Sequence, residues 1–242
     1  MQQSIFIIRS HTPIAPAVFR MELAGDTRAI TRPGQFINIA LDGFYLRRPI
    51  SVCDYGPDAV TILYKVVGQG TRALSALPVG AQLDVLTGLG NGFDLSLSGD
   101  KPLLIGGGVG IPPLYRLAKD LLAQGKTVQA VLGFRTGEDV FYQQEFQDLG
   151  AALTLVTEDG SLGKHGRVTD WLPTDYSYFY TCGPEPMLRA VYDQTCTSGQ
   201  LSFEQRMGCG FGACLGCSCQ TKYGDKRICK DGPVLVKEEI LW

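Results

Sequence analysis

The sequence predicts a β plus α/β protein: an N-terminal six-stranded antiparallel barrel, a parallel-sheet domain after it, and a small cysteine-rich subdomain at the end. Three observations carry this. Six short segments with strand-like alternation fill residues 1–98, strand and helix patterns alternate over 99–200, and five of the eight cysteines crowd between positions 209 and 229. Short strands at regular spacing suit a small closed barrel. Strand–helix alternation requires crossover connections and so a parallel sheet.

In the barrel half the segments are IFIIRS, VFRMEL, QFINIAL, ISVCDY, AVTILYKVV and AQLDVL, separated by turn signals at RPGQ, YGPD and PVGA. The pattern changes after LGNGFDLSLSGDK at 89–101. KPLLIGGG is an apolar run ending in glycines, and PPLYRLAKDLLAQGK has helical spacing closed by Gly125. TVQAVLGF reads as a strand, EDVFYQQEFQDLG as a helix, AALTLVTED and DYSYFYTCG as strands, and PEPMLRAVYDQ as a helix. From 201 to 242 glycine and cysteine dominate and the alternation ends. No internal repeat or low-complexity linker interrupts the chain.

At 242 residues, 45% apolar and 19% charged, the chain has ample material for a buried core. A net charge of -2 gives no electrostatic footprint for nucleic acid or anionic lipid. MQQSIFIIRSHTPIAP lacks the basic and apolar regions of a signal peptide, and PLLIGGGVGIPPL is too short for a membrane span of ~20 residues. A cytoplasmic location is therefore expected, where close-spaced thiols are metal ligands or catalytic groups rather than disulfides. Only His11 and His165 are present, which disfavours chemistry built on histidine bases or several imidazole ligands.

The cysteine spacing is Cys209-x4-Cys214-x2-Cys217, then eleven residues to Cys229. This C-x4-C-x2-C…C arrangement is the plant-type signature of a [2Fe–2S] cluster. Four thiolates around two irons need a loop that wraps closely and aims backbone N–H groups at sulfur. Gly208, Gly210, Gly212 and Gly216 allow that. Cys229 follows an expected hairpin, QTKYGDKRI. Structural zinc is the competing ligand, but it prefers two separated C-x2–4-C pairs. A Rieske centre would need two histidines. Cys219 fits neither spacing and is read as a bystander.

Gly106, Gly107, Gly108 and Gly110 lie between an expected strand and an expected helix, where a diphosphate can approach the backbone and the helix N-terminus. Pro113 stands where the third glycine of G-x-G-x-x-G would be, and a tight turn with no ligand is the alternative. Cys182, Gly183 and Pro184 open a second helix at the same sheet edge, where ligands of α/β folds gather. In the barrel, LRRPISV supplies Arg48 and Ser51, and LYKVVGQGTRALS supplies Lys65, Gly70 and Thr71. GQGT before a helical stretch reads as another anion-binding helix start; Arg48 alone could equally be a surface strand end.

Taken together, Arg48-Pro49-Ile50-Ser51, Gly70-Thr71, the Gly106–110 run and Cys182-Gly183-Pro184 resemble the ferredoxin-NADP⁺ reductase superfamily. With CGFGACLGC and CKDGP at the end, the chain resembles the family of electron-transfer subunits of dihydroorotate dehydrogenase B over nearly its whole length. The resemblance implies a 1–98 FAD-binding barrel, a 99–200 NAD-binding domain and a 201–242 [2Fe–2S] subdomain. It implies that Arg48 pairs with the FAD pyrophosphate and that Ser51 lies by the flavin ring. Pro49, Ile50, Leu63, Tyr64, Lys65, Gly70 and Thr71 complete that site. It places Cys182 beside the nicotinamide and Cys209, Cys214, Cys217 and Cys229 on the cluster. The wider superfamily often has an aromatic residue where Ile50 stands.

The set of parts is coherent. NADH gives up two electrons at once and a [2Fe–2S] cluster accepts one, so a flavin must stand between them. The implied partner is an FMN-containing dihydroorotate dehydrogenase catalytic subunit, in a heterotetramer of two of each, serving pyrimidine biosynthesis. Two alternatives differ in class: a reductase component of a hydrogenase, a glutamate-synthase-like enzyme or an oxygenase, and a zinc-stabilised nucleotide-binding protein with no activity.

Overall fold

The computed structural model describes residues 1–242 and contains the expected barrel. Strands β1 (Gln2–Ala15), β2 (Val18–Ala24), β3 (Phe36–Ile39), β4 (Arg48–Tyr55), β5 (Ala59–Lys65) and β6 (Gln82–Leu89) close in the order β1-β2-β5-β4-β3-β6, all antiparallel. Alternation sorts the side chains. Phe6, Ile8, Met21, Leu23, Ile37, Ile39, Val52 and Ile62 fill the interior, and Leu74 of helix α1 (Gln69–Ser75) joins them. Phe36, Asn38, Pro49, Ser51 and Cys53 therefore stand on the outer face.

The second sheet begins with β7 (Pro102–Gly107), helix α2 (Pro112–Ala123) and β8 (Gln129–Phe134). Pro112 and Pro113 suit the first helical turn, where a missing N–H costs nothing, and Gly125 at φ +78 ends the helix. Leu114, Leu117, Ala118 and Leu121 recur at helical spacing and are fully buried against the sheet. Then come α3 (Gln143–Asp148), β9 (Ala152–Thr157), β10 (Lys164–His165), β11 (Tyr178–Cys182), α4 (Glu185–Gln194) and β12 (Gly199–Ser202). A hairpin of β13 (Ser218–Thr221) and β14 (Gly224–Arg227) follows, and β15 (Val234–Val236) ends the series.

The helix expected over 138–150 forms only at α3. Tyr142 takes a left-handed φ of +63 just before it. The cause is packing: Phe141 and Tyr142 are buried, edge-on to Phe134 and Tyr115 at 5.2 and 5.1 Å. Those aromatic contacts override helical propensity.

Seven strands form the sheet, in the order β10-β9-β8-β7-β11-β12-β15, with only β15 antiparallel. The chain adds strands outward from β7 on one side and then crosses to β11 on the other. The switch point thus lies between β7 and β11. The sheet also takes a strand from each side of the cysteine loop, which binds that loop to it.

The barrel and sheet share a core: Val18, Cys53 and Leu63 pack with α2 residues. Arg116 and Lys119 of α2 pair with Asp54 at 3.1 and 2.9 Å, and the Arg116 guanidinium lies 3.9 Å from the centre of the Tyr55 ring. No helix is long and apolar enough to cross a membrane.

Candidate functional site

Three candidate sites can be distinguished. The first is the switch-point cleft. Cys182 is in register with Gly106, so the two glycine turns lie side by side at the carboxyl ends of β7 and β11. At Gly110 that packing leaves no room for a side chain, while at Gly107 and Gly183 an added Cβ would displace the movable end of Met187. A Cβ on Gly107 would meet Met187 Sδ at 2.6 Å, one on Gly183 would meet Met187 Cε at 2.5 Å, and one on Gly110 would overlap the Cys182 carbonyl. Gly108 differs: it has φ +51 and open space around it. The run therefore combines a packing role at Gly106, Gly107 and Gly110 with an open backbone at Gly108, ahead of the α2 N-terminus, where a diphosphate fits.

The Cys182 thiol is pushed up to about 12 by burial, outweighing a hydrogen bond with Ser202, and Glu204 lies within electrostatic reach. It stays neutral, which suits contact with a nicotinamide ring rather than nucleophilic attack. Ser202 and Glu204 were not singled out in the sequence, because only the β11–β12 pairing brings them to Cys182.

At the carboxyl ends of β8 and β9, a cavity of about 530 Å³ is lined by Thr136, Gly137, Glu138, Asp159, Ser161 and Leu162. The Ser161 hydroxyl and N–H donate to Asp159 at 2.6 and 3.0 Å and hold its carboxyl below the usual range. Two carboxylates make this lining unfavourable for a phosphate. Arg135, just after β8, is exposed and does not line it.

The second site is on the barrel. Arg48 and Gly70 come together: the guanidinium lies 4.8 Å from the Phe44 ring centre, and a Cβ on Gly70 would overlap it. That cradle, with a cation and no side chain opposite, fits a pyrophosphate. The Thr71 hydroxyl takes the N–H groups of Val67 and Gly68 at 2.9 and 3.1 Å, closing the start of α1. Leu63 and Tyr64 are buried, the Tyr64 hydroxyl bonded to His11 Nε2 at 2.8 Å, and Lys65 is exposed. With the Leu63 and Tyr64 side chains committed to the interior, only their main chain is open to a ligand. Pro49 and Ser51 lie opposite Asn38 and Phe36 on the outer face, and Ile50 turns toward the barrel core.

The third site is the cysteine loop. No three metal-binding side chains close around one point; the thiols stand as two pairs. Cys214 Sγ lies 3.5 Å from Cys209 Sγ, and the Cys229 N–H donates to Cys217 Sγ at 3.4 Å. Two thiols per iron is what a binuclear centre requires, so this donor set fits. Burial alone would push the Cys209 thiol up, but N–H groups of Cys214, Phe211 and Ala213 outweigh it and hold the thiol at about 6. Those groups would equally stabilise a thiolate ligand. Burial and the neighbouring Cys217 push Cys229 upward. Cys219 sits on β13 opposite Lys226, outside both pairs.

The loop rests on the barrel. Asn38 Nδ2 donates to the Cys209 carbonyl at 3.2 Å, and Asn91 exchanges bonds with Val234 at 2.7 and 3.1 Å. Cys209 is thus held on β3, the strand that pairs with the β4 strand of Arg48 and Ser51.

Comparison with known proteins agrees with this arrangement. The family model for the iron–sulfur cluster binding domain of dihydroorotate dehydrogenase B matches residues 204–241, and that for the oxidoreductase NAD-binding domain matches 104–193. The chain is 40% identical over 255 residues to the dihydroorotate dehydrogenase B (NAD(+)) electron transfer subunit of Bacillus velezensis, covering 99% of both chains. It is 39% identical over 250 residues to that of Fusobacterium nucleatum, covering 96% of both. A solved structure of an NADH-dependent reduced ferredoxin-NADP oxidoreductase aligns with TM-score 0.88 and 30% identity, over 99% of this chain and 90% of that one. The ferredoxin reductase in carbazole 1,9a-dioxygenase shares the fold, with TM-score 0.70 at 24% identity, over 79% of this chain and 64% of that one.

Proposed function

The chain belongs to the family of dihydroorotate dehydrogenase B (NAD(+)) electron transfer subunits, and from that premise we propose how its residues divide the work. It is an oxidoreductase component that passes electrons between a catalytic partner and NAD⁺ through FAD and a [2Fe–2S] cluster, in pyrimidine biosynthesis. The observation that carries this is the seating of the cysteine loop on the barrel, where Asn38 of β3 holds the Cys209 carbonyl and stands across the ladder from Pro49 of β4, with the thiols drawn into two pairs.

When bound, FAD supplies the exchange between two-electron hydride chemistry and one-electron transfer. The chain's own part is positioning and electrostatics. Arg48 and Gly70 hold the pyrophosphate of FAD, while Pro49, Ile50, Ser51, Leu63, Tyr64, Lys65 and Thr71 shape the wall beside it. Gly106, Gly107, Gly108, Gly110, Gly183 and Pro184 form the nucleotide cleft. Cys182 keeps its proton and orients the nicotinamide, and Cys209, Cys214, Cys217 and Cys229 hold the irons. The three functional regions follow 1–98, 99–200 and 201–242.

The partner is an FMN-containing catalytic subunit, two of each forming the complex in the cytoplasm. Support comes from what the chain lacks: neither histidine lies in the cleft, and oxidising a dihydropyrimidine needs a base within reach of substrate. His11 is spent on Tyr64 and the Leu77 carbonyl.

Anaerobic NADH should bleach the flavin absorption of the loaded chain and raise the signal of the reduced cluster. With Glu138 and Asp159 facing the adenosine ribose, kcat/KM should favour NADH over NADPH by roughly tenfold or more, a difference of about 1.4 kcal/mol. A colourless chain, or equal kcat/KM for both nucleotides, contradicts the respective part.

A further inference from the structure

Asn38 has a pattern of contacts that packing alone does not account for. It lies on β3, is 1% exposed, and stands on the barrel's outer face under the cysteine loop. Its carboxamide is used on one side only. Nδ2 donates to the Cys209 carbonyl at 3.2 Å, while Oδ1 is buried with no partner. A buried acceptor left open costs free energy that a leucine, branched in the same way, would avoid. The loop is fitted to the carboxamide in return: Gly210 has φ +77, and a Cβ there would overlap Asn38 Nδ2. Directly across the ladder stands Pro49, and residues paired across antiparallel strands share a face.

We propose that Asn38 is a positioning residue that fixes Cys209 against the barrel, beside the flavin-binding strand, and thereby sets the reduction potential of the cluster. Holding the Cys209 carbonyl fixes the turn that follows it. That turn brings the Cys214 N–H to Cys209 Sγ at 3.4 Å, with the N–H groups of Phe211 and Ala213 beside it. Hydrogen bonds to cluster sulfur favour the more negative, reduced state, so a loosened turn lowers the potential. The open Oδ1 lies on the face shared with Pro49 and Ser51. The inference rests on the ligand set proposed above.

Two substitutions test it in the loaded complex. Asn38→Leu removes donor and acceptor together, and Asn38→Asp removes the donor at constant volume, placing an oxygen against the Cys209 carbonyl. A redox titration followed by electron paramagnetic resonance reads the midpoints. The expected result is a roughly tenfold loss in the equilibrium for cluster reduction, about 59 mV for one electron, with the flavin midpoint unmoved. In the metal-free chain, amide exchange over 210–214 should quicken in both variants. Loss of iron with FAD content retained also supports the role. Wild-type cluster midpoint and line shape in the folded variant overturn it, and so does an equal shift of flavin and cluster. If Asn38→Leu fails to fold, Asn38→Asp alone decides. Cys209→Ser measured alongside separates the two claims: iron retained there refutes the ligand set, whatever Asn38 does.

Discussion

Serine at Cys209, Cys214, Cys217 or Cys229 is expected to strip most of the iron from the chain, whereas Cys219→Ser should keep it. The four thiols stand in two pairs, and the N–H of Cys214 and of Cys229 each points at a pair sulfur. Replacing one removes a soft anionic donor that a hydroxyl does not reproduce. At Cys217 and Cys229, 1% and 2% exposed, serine also buries a hydroxyl where an apolar sulfur stood. Because cluster binding contributes to folding, iron-free variants should melt at lower temperature. Cys219 shares neither geometry: its neighbours are Cys217, Glu239 and Lys226, and burial is what raises its thiol. Iron per chain and melting temperature decide the matter, and full iron loss in Cys219→Ser would overturn the assignment.

Gly110→Ala should disable the nucleotide cleft while sparing the other two sites. The added methyl would run into the Cys182 carbonyl, with the Cys182 carbon and Gly183 nitrogen each 2.5 Å away. All three are main-chain atoms, so no side chain can rotate aside; the two turns at the switch point must separate. Overpacking of this kind costs about 1–3 kcal/mol and sometimes more. Separation also moves Cys182 and the start of α2, so NADH reduction of the flavin should be lost. Bound FAD and iron should remain near wild type, since Arg48, Gly70 and the thiol pairs lie outside the turn. Wild-type NADH reduction in this variant would show that the glycine run serves neither packing nor nucleotide.

Much of this was legible in the sequence, and the gaps have physical causes. Alternation exposed the barrel because each of its strands has one face inside. Strands β12 and β15 escaped notice: at four and three residues, GQLS and VLV are too short to alternate. The shortened α3 was hidden because its cause is the burial of Phe141 and Tyr142 in the shared core, a tertiary effect. The clustering of the cysteines could be read from spacing, and the structure draws four of them into two pairs. The contacts of Asn38 and Ser202 and the Arg116–Asp54 pair could not be read, as each forms only after distant parts of the chain pack together. Asn38 and Cys209 lie 171 residues apart in sequence. Thr71 fits the expected motif, yet its hydroxyl closes its own helix.

The central claim is that this chain moves electrons and leaves dihydroorotate oxidation to a partner. The direct measurement is NAD⁺ reduction by dihydroorotate, with the loaded chain alone and again after adding the flavin-containing catalytic subunit. The chain alone should reduce artificial acceptors with NADH and show no dihydroorotate turnover, and the added subunit should bring on NAD⁺ reduction. Rapid dihydroorotate oxidation by this chain alone, or no NAD⁺ reduction once the subunit is present, would contradict the account.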